Sequence, residues 1–359
     1  MKVSEINSAT EKYSAEDLKK LVKELYKCIP KKVRDDKEID DLITNMDKFL
    51  ADKKAKKIKS QHPDFPDLKA EIDKFVDDAQ QQYYFAPNRY ISKKQRPKWR
   101  FMVKRFVKQL ESIPVNDKNG HEATELLRDL YNLLCVASMQ YLFNTENPFA
   151  SVGITQQAFY EKLIKRLLLQ GKDRAVIDDI LDILFENEVN YDESKTELMY
   201  VLIENLKTVD MKERTIEQTH KRQPKVLSQK PLVGSHYDYF KQMQTVNMYT
   251  TFILVVDFSL SEYEKGIAYF KKYYQSEVEE QKVETLLDWL QTYNLKDEWL
   301  TEYEYGLKAG VKLNGIYPKQ YNILKEDKDA GFEDVYNLEL EQLDEEEKMF
   351  WDALNELDD

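Results

Sequence analysis

Nine glycines and ten prolines in 359 residues leave very few positions at which this chain can turn sharply. A sandwich or barrel of short strands needs such a residue every 8–12 positions or so. Long helices with few interruptions remain, and 33 % charged against 42 % hydrophobic residues is the balance of a folded chain that keeps one side of each helix wet. No apolar run approaches the ~18 residues that cross a bilayer; the longest candidate, Phe252–Val256, stops at Asp257. The first residues, Met1-Lys2-Val3-Ser4-Glu5, continue polar without the apolar core of a secretory signal. The chain is therefore expected in the cytoplasm, without membrane contact. Cys28 and Cys135 fall at helical spacing from Leu25 and Tyr131, which predicts two buried structural thiols.

Apolar periodicity marks the helices. Ser14 precedes Leu18, Leu21, Val22, Leu25 and Ile29, a capped amphipathic helix that Pro30 ends. A lysine-rich helix over about 35–60, a segment over Leu68–Gln82 and a basic helix from Lys98 to Ile113 follow. Beyond a connector at 114–120 come short amphipathic sets, in which Leu127, Leu163 and Leu202 lie 36 and 39 residues apart. Such a spacing suits stacked helix pairs, although a bundle gives much the same pattern. Residues 210–236, rich in Gln, Lys and Arg with two prolines, read as an exposed linker. Val246–Phe258 is β-rich enough to be ambiguous, and Ser261 and Ser276, each with glutamate three residues on, read as capping boxes.

The fold class expected is all-α: a basic helical domain over 1–116, a region of stacked antiparallel helix pairs, helical-repeat or α-solenoid-like, over 120–325, and an acidic tail over 326–359. In that later region Tyr263-Glu264-Lys265-Gly266-Ile267-Ala268-Tyr269-Phe270 resembles the second helix of a tetratricopeptide repeat, over about residues 248–310. The resemblance implies that Gly266 lets two helices approach, that Phe270 packs on the next repeat, and that the surface takes a peptide or protein. Tyrosine is abundant, 23 residues, and supplies apolar area and a hydroxyl at low entropic cost in interfaces. Tyr269, Tyr273, Trp299 and Tyr303 are the expected partner contacts, and a non-enzymatic interaction, regulatory or scaffold protein is the function expected first.

Charge supports an alternative. The net charge is −12, yet residues 1–120 carry 28 basic against 20 acidic side chains, and 326–359 hold 15 acids and two lysines. From Ala79 to Leu110 there is no acid but nine cations, with aromatics interleaved. Phosphate-neutralising cations beside rings that stack on bases are what sequence-tolerant nucleic-acid binding requires. Arg96, Lys98, Trp99, Arg100, Lys104, Arg105 and Lys108 are the candidates, Lys53, Lys54, Lys56, Lys57 and Lys59 extend the track, and the acidic tail is the competitor. The same segment also suits a solvated helix face with Trp99, Val103 and Phe106 in the core.

Catalytic patterns are missing. The four histidines have no ligand-spaced partners, no phosphate-cradling glycine loop or nucleophile elbow can be written, and no two cysteines lie close. Asp178, Asp179, Asp182, Glu186 and Glu188 are the one carboxylate run to weigh as a divalent-ion site, or as part of a dispersed catalytic site. No cofactor or metal is expected.

Overall fold

The computed structural model describes residues 6, 9–36, 38–49, 64–227, 236–313 and 315–334, and every regular element among them is a helix. In chain order these are α1 (Ala15–Cys28), α2 (Lys31–Asp36), α3 (Ile39–Thr44), α4 (Phe65–Gln80), α5 (Trp99–Glu111), α6 (Gly120–Met139), α7 (Pro148–Val152) and α8 (Gln156–Gln170). They continue with α9 (Arg174–Glu186), α10 (Lys195–Asn205), α11 (Val209–Leu227), α12 (His236–Ser259), α13 (Tyr263–Tyr273), α14 (Glu279–Thr292), α15 (Lys296–Lys308) and α16 (Tyr317–Glu326). Among the described residues, no helix is long and apolar enough to cross a membrane. The lysine cluster at 53–59 and residues 335–359 of the acidic tail lie outside the described residues.

Local chemistry places the helix starts. Ser14 accepts from the Asp17 amide at 3.2 Å to begin α1, Thr155 caps α8 and Asp173 caps α9. Ser194 and Glu197 form the reciprocal capping box of α10. The boxes expected at Ser261 and Ser276 do not form. Ser261 sits at φ 62° ahead of α13, whose N-cap is Glu262, and the Ser276 hydroxyl donates to the Val278 carbonyl instead.

Stacking follows from which helices touch. Each of α8, α9 and α10 packs on its successor but one, α8 on α10, α9 on α11 and α10 on α12, as well as on its neighbour. This is the pattern of helix pairs laid one on the next, in which a helix meets its hairpin partner and its equivalent in the following pair. One apolar core runs from Phe65 on α4 to Val256 on α12, so the connector at 116–120 is not a boundary between cores. A second core joins Leu254 and Phe258 to Ile267, Phe270, Leu287, Trp299, Tyr303 and Phe332. Phe332 packs on Trp299 with ring centroids 6.0 Å apart, and Lys296 Nζ donates to the carbonyls of Asp327, Lys328 and Ala330. The chain as far as Phe332 is thus held on the folded body, past residue 326 at which the acidic tail is expected to begin.

Two further expectations change. Residues 209–227 form α11 rather than an exposed linker. Its inner face is polar: Thr215, Gln218, Thr219 and Gln223 are buried, the two threonines donating to carbonyls four residues back. Hydropathy is blind to a helix packed in this way. Over Val246–Phe258, α12 is apolar on all sides because it lies between the two cores, and a helix buried all round loses the 3.6-residue signature. Cys135 is buried and Cys28 exposed; the stripe that carries Cys28 is itself exposed.

The corner between α5 and α6 is the tightest approach at any described glycine. A Cβ on Gly120 would collide with the carbonyl oxygens of Pro114 and Val115. Arg166 of α8, 8 % exposed, reaches into the corner, donating to the Ile113 carbonyl at 3.0 Å, to Thr124 Oγ1 at 3.2 Å and to the Gly120 carbonyl at 3.4 Å. Gly120→Ala is expected to lower stability by about 1–3 kcal/mol through overpacking. Arg166→Met is expected to lower it by a similar ~1–3 kcal/mol by leaving the Ile113 carbonyl without its donor. Urea unfolding followed by circular dichroism measures both.

Candidate nucleic-acid interface

The segment before α5 has no regular structure except a single 3-10 turn, Arg96–Lys98, and one side chain holds much of it. Asn88 donates to the carbonyls of Tyr83 and Ala86 at 2.7 and 2.8 Å and accepts from the amides of Tyr90 and Ile91 at 2.9 and 2.7 Å. Tyr83 stacks on Tyr90 at 4.5 Å. Arg96 Nε donates to the Ile91 carbonyl at 3.2 Å, which ties the loop to the start of α5.

α5 then divides cleanly. Trp99, Val103, Phe106, Val107 and Leu110 are buried, with Trp99 stacked on Phe143 at 3.9 Å. Arg100, Lys104 and Lys108 recur every four residues on the exposed side. Between these two stripes Phe101 stands 62 % exposed with the Arg100 guanidinium 5.0 Å from its ring centroid. Tyr90 is also exposed, with the Arg89 guanidinium 5.2 Å away.

Several cations elsewhere on the body pin one helix to another. Lys69 pairs with Glu122 at 2.5 Å, Arg105 with Glu71 and Lys162 with Glu111. Arg174 pairs with Glu217 at 3.1 Å, Lys265 with the buried Asp257 at 2.8 Å, and Lys271 with Glu302 at 2.8 Å. Burial pushes the Asp257 carboxyl above its ordinary range, against the pull of Lys265. By contrast, Arg89, Lys93, Lys94, Lys98, Arg100, Lys104 and Lys108 are all exposed and have no carboxylate within 4 Å among the described residues. Lys98 and Arg100 are also badly placed for the helix. Its first turn holds no acid, its N-cap is Lys98 without a capping bond, and that end carries the positive pole of the backbone dipole. Like charges four apart each cost a few tenths of a kcal/mol more.

The structure therefore sorts the candidates. Lys98, Arg100, Lys104 and Lys108 lie together at and along the outer side of α5, Arg105 is taken by Glu71, and Arg96 is engaged with the loop. Trp99, 4 % exposed, is a core residue that no base can reach. Phe101 is the ring α5 offers; its four-residue offset from the Arg105 position, on the polar side of the apolar stripe, is the signal that separates it from Trp99.

The four partner candidates do not form a surface. Trp299 and Tyr303 are buried in the second core, stacked on each other at 5.3 Å, with Tyr303 also against Tyr321 at 4.4 Å. Tyr269 and Tyr273 are half-buried, 4.5 Å apart, and Tyr269 is bound up in a polar seam. Gln223 Nε2 donates to Thr250 Oγ1 at 2.6 Å and to the Val246 carbonyl at 3.3 Å. That orientation leaves Gln223 Oε1 to accept from the Tyr269 hydroxyl at 2.5 Å. With its proton so used, the Tyr269 oxygen accepts from His220 Nδ1–H at 2.9 Å. Burial raises the Tyr269 hydroxyl pKa above the ordinary tyrosine value.

The carboxylate run of α9 serves neighbouring guanidiniums. Asp178 and Asp182 hold Arg222 at 3.1 and 2.5 Å, and Asp179 lies 3.6 Å from Arg128. Among the described residues no three His, Cys, Asp or Glu side chains are grouped to hold a metal ion. No family model, curated protein or solved structure matches the chain.

Tyr303→Ala is expected to lower stability by about 3–5 kcal/mol, as for loss of a large core aromatic. Tyr269→Phe is expected to lower it by only about 1–2 kcal/mol, because Gln223 Oε1 loses its donor. Urea titrations of the two variants test whether these tyrosines are structural.

Proposed function

We propose that the protein binds nucleic acid through α5 and the loop before it. The observation that carries this reading is the clustering of seven exposed cations, Arg89, Lys93, Lys94, Lys98, Arg100, Lys104 and Lys108, on one loop and one helix side, with no carboxylate within 4 Å of them among the described residues. Lys98 and Arg100 disfavour the start of α5, and none of the seven answers a carboxylate among the described residues. Phosphates answer their charge, and Tyr90 and Phe101 supply faces for unpaired bases. Cations that meet phosphates together with open ring faces suit sequence-tolerant binding that favours single strands.

Fluorescence anisotropy of labelled single-stranded and duplex oligonucleotides between 50 and 200 mM salt tests this. Binding is expected to weaken with salt, and Arg100→Glu, Lys104→Glu and Lys108→Glu together are expected to abolish it while the melting temperature holds or rises. Each phosphate left without its cation reduces the logarithmic salt slope by about 0.7 for a single strand. Phe101→Ala is expected to weaken single-strand binding by about 1–3 kcal/mol and to leave duplex binding nearly unchanged. Absence of binding at 50 mM salt would refute the proposal.

A second reading rests on a groove of about 690 Å³ between α13 and α15, floored by Ile267 and Ala268 and walled by Glu264, Lys271, Glu298 and Glu302. It lies in the segment that resembles a tetratricopeptide repeat, and its size is that of a ligand cleft. On this reading a peptide lies between the two helices and Tyr269 and Tyr273 only support them. Peptides selected on the wild-type protein are then expected to lose binding to Ala268→Trp, which fills the groove.

A further inference from the structure

α1 differs from the amphipathic helices of the two cores. Leu18, Leu21, Val22 and Leu25 run along one side of it, all are exposed, and the helix has no buried residue. Leu25 is 56 % exposed. Each such aliphatic side chain forgoes part of the about 1.5–3 kcal/mol that full burial gives. The surface is nevertheless organised. The Tyr26 hydroxyl donates to Asp40 at 2.7 Å and the Arg34 guanidinium lies over the Tyr26 ring at 4.3 Å, joining α1 to α2 and α3. Between α1 and α3 opens a cleft of about 410 Å³, with Val22, Tyr26 and Ile43 as its apolar lining and Lys23 and Lys27 among its borders.

The complement of this surface is written in the same chain. Residues 335–359 hold ten acids and one lysine, and among them Met349, Phe350, Trp351, Leu354 and Leu357 fall within nine positions. Phe350, Leu354 and Leu357 are spaced i, i+4, i+7, the spacing by which an amphipathic segment seats in a groove. Aromatic and aliphatic side chains flanked by carboxylates match, in both respects, an apolar cleft whose border carries Lys23 and Lys27 against Asp40, which Tyr26 holds. The outer side of α5 matches in charge alone, since it offers only Phe101 as apolar surface.

We propose that the segment Met349–Leu357 docks on the exposed apolar side of α1 in the same chain, with its carboxylates beside Lys19 and Lys23, since Lys20 and Lys27 already pair with Asp17 and Glu24 of α1. This contact is separate from the nucleic-acid face and does not depend on it.

Cys28 reports on the contact. It is exposed and continues the Leu18–Leu25 stripe one turn on, and Cys135 is buried. Labelling of Cys28 by a maleimide in the full chain is expected to accelerate about tenfold in a Phe350→Asp, Trp351→Asp variant, as for release of a segment docked about 90 % of the time. A photo-crosslinking residue in place of Trp351 is expected to join α1, and Leu21→Asp with Leu25→Asp to remove that product while Arg100→Glu, Lys104→Glu and Lys108→Glu leave it in place. Mixing isotopically labelled and unlabelled protein then separates same-chain from between-chain products. An unchanged Cys28 rate, crosslinks to α5, or products only between chains each overturn the proposal.

Discussion

A guanidinium buried without an ion-pair partner sits where three helices meet. Arg166 satisfies backbone and hydroxyl oxygens at the corner that ends α5 and begins α6, and Gly120 lets the two sides of that corner come closer than any side chain allows. Together they set the position of α5 relative to α6 and α8. Because Trp99, Val103 and Phe106 must then point into the core, the remaining side of α5 can only face outward. The candidate interface is in this sense a by-product of how the corner closes.

The distribution of ion pairs explains why that outer side stands apart. Pairs between separate helices recur through the body, from Lys69 with Glu122 to Lys325 with Glu304, and Arg222 holds two aspartates of α9 at once. Exposed pairs contribute at most about 1 kcal/mol each, so their value lies more in fixing register than in stability. A cluster of cations left outside this scheme costs little to keep and gains its energy only when an anion arrives.

Much of the architecture is legible from apolar spacing, and the exceptions share a cause. Leu126, Leu130, Leu163 and Leu167 mark helices because one side of each is wet, whereas α12 is covered on both sides and α11 buries glutamines and threonines, so neither shows the contrast that periodicity measures. The pairs at Ser261 and Ser276 have the right letters, but a cap also needs the serine to precede the first helical residue directly, as Ser194 does. Of the candidate interface, Arg100, Lys104 and Lys108 can be read from their four-residue interval. That Trp99 turns inward and Phe101 outward follows from the helical spacing of Trp99, Val103, Phe106 and Leu110; that Trp99 then stacks on Phe143, 44 residues beyond it, is carried by no local pattern. Trp299 and Tyr303 escape a sequence reading for a related reason: aromatic abundance looks the same in a core as at a surface.

α12 gives Phe252, Val255 and Val256 to one core and Leu254 and Phe258 to the other. A wall common to two rooms cannot be removed from one of them alone. In an array of stacked pairs, coupling between neighbours decides whether the ends unravel separately or the whole melts together, and here the coupling element is a helix whose every side is already committed. Local opening is cheapest in elements with few apolar contacts, which directs fraying to the ends of the array and away from its middle. The two cores are accordingly coupled through one shared helix, and α12 is expected among the last helices to lose structure on heating.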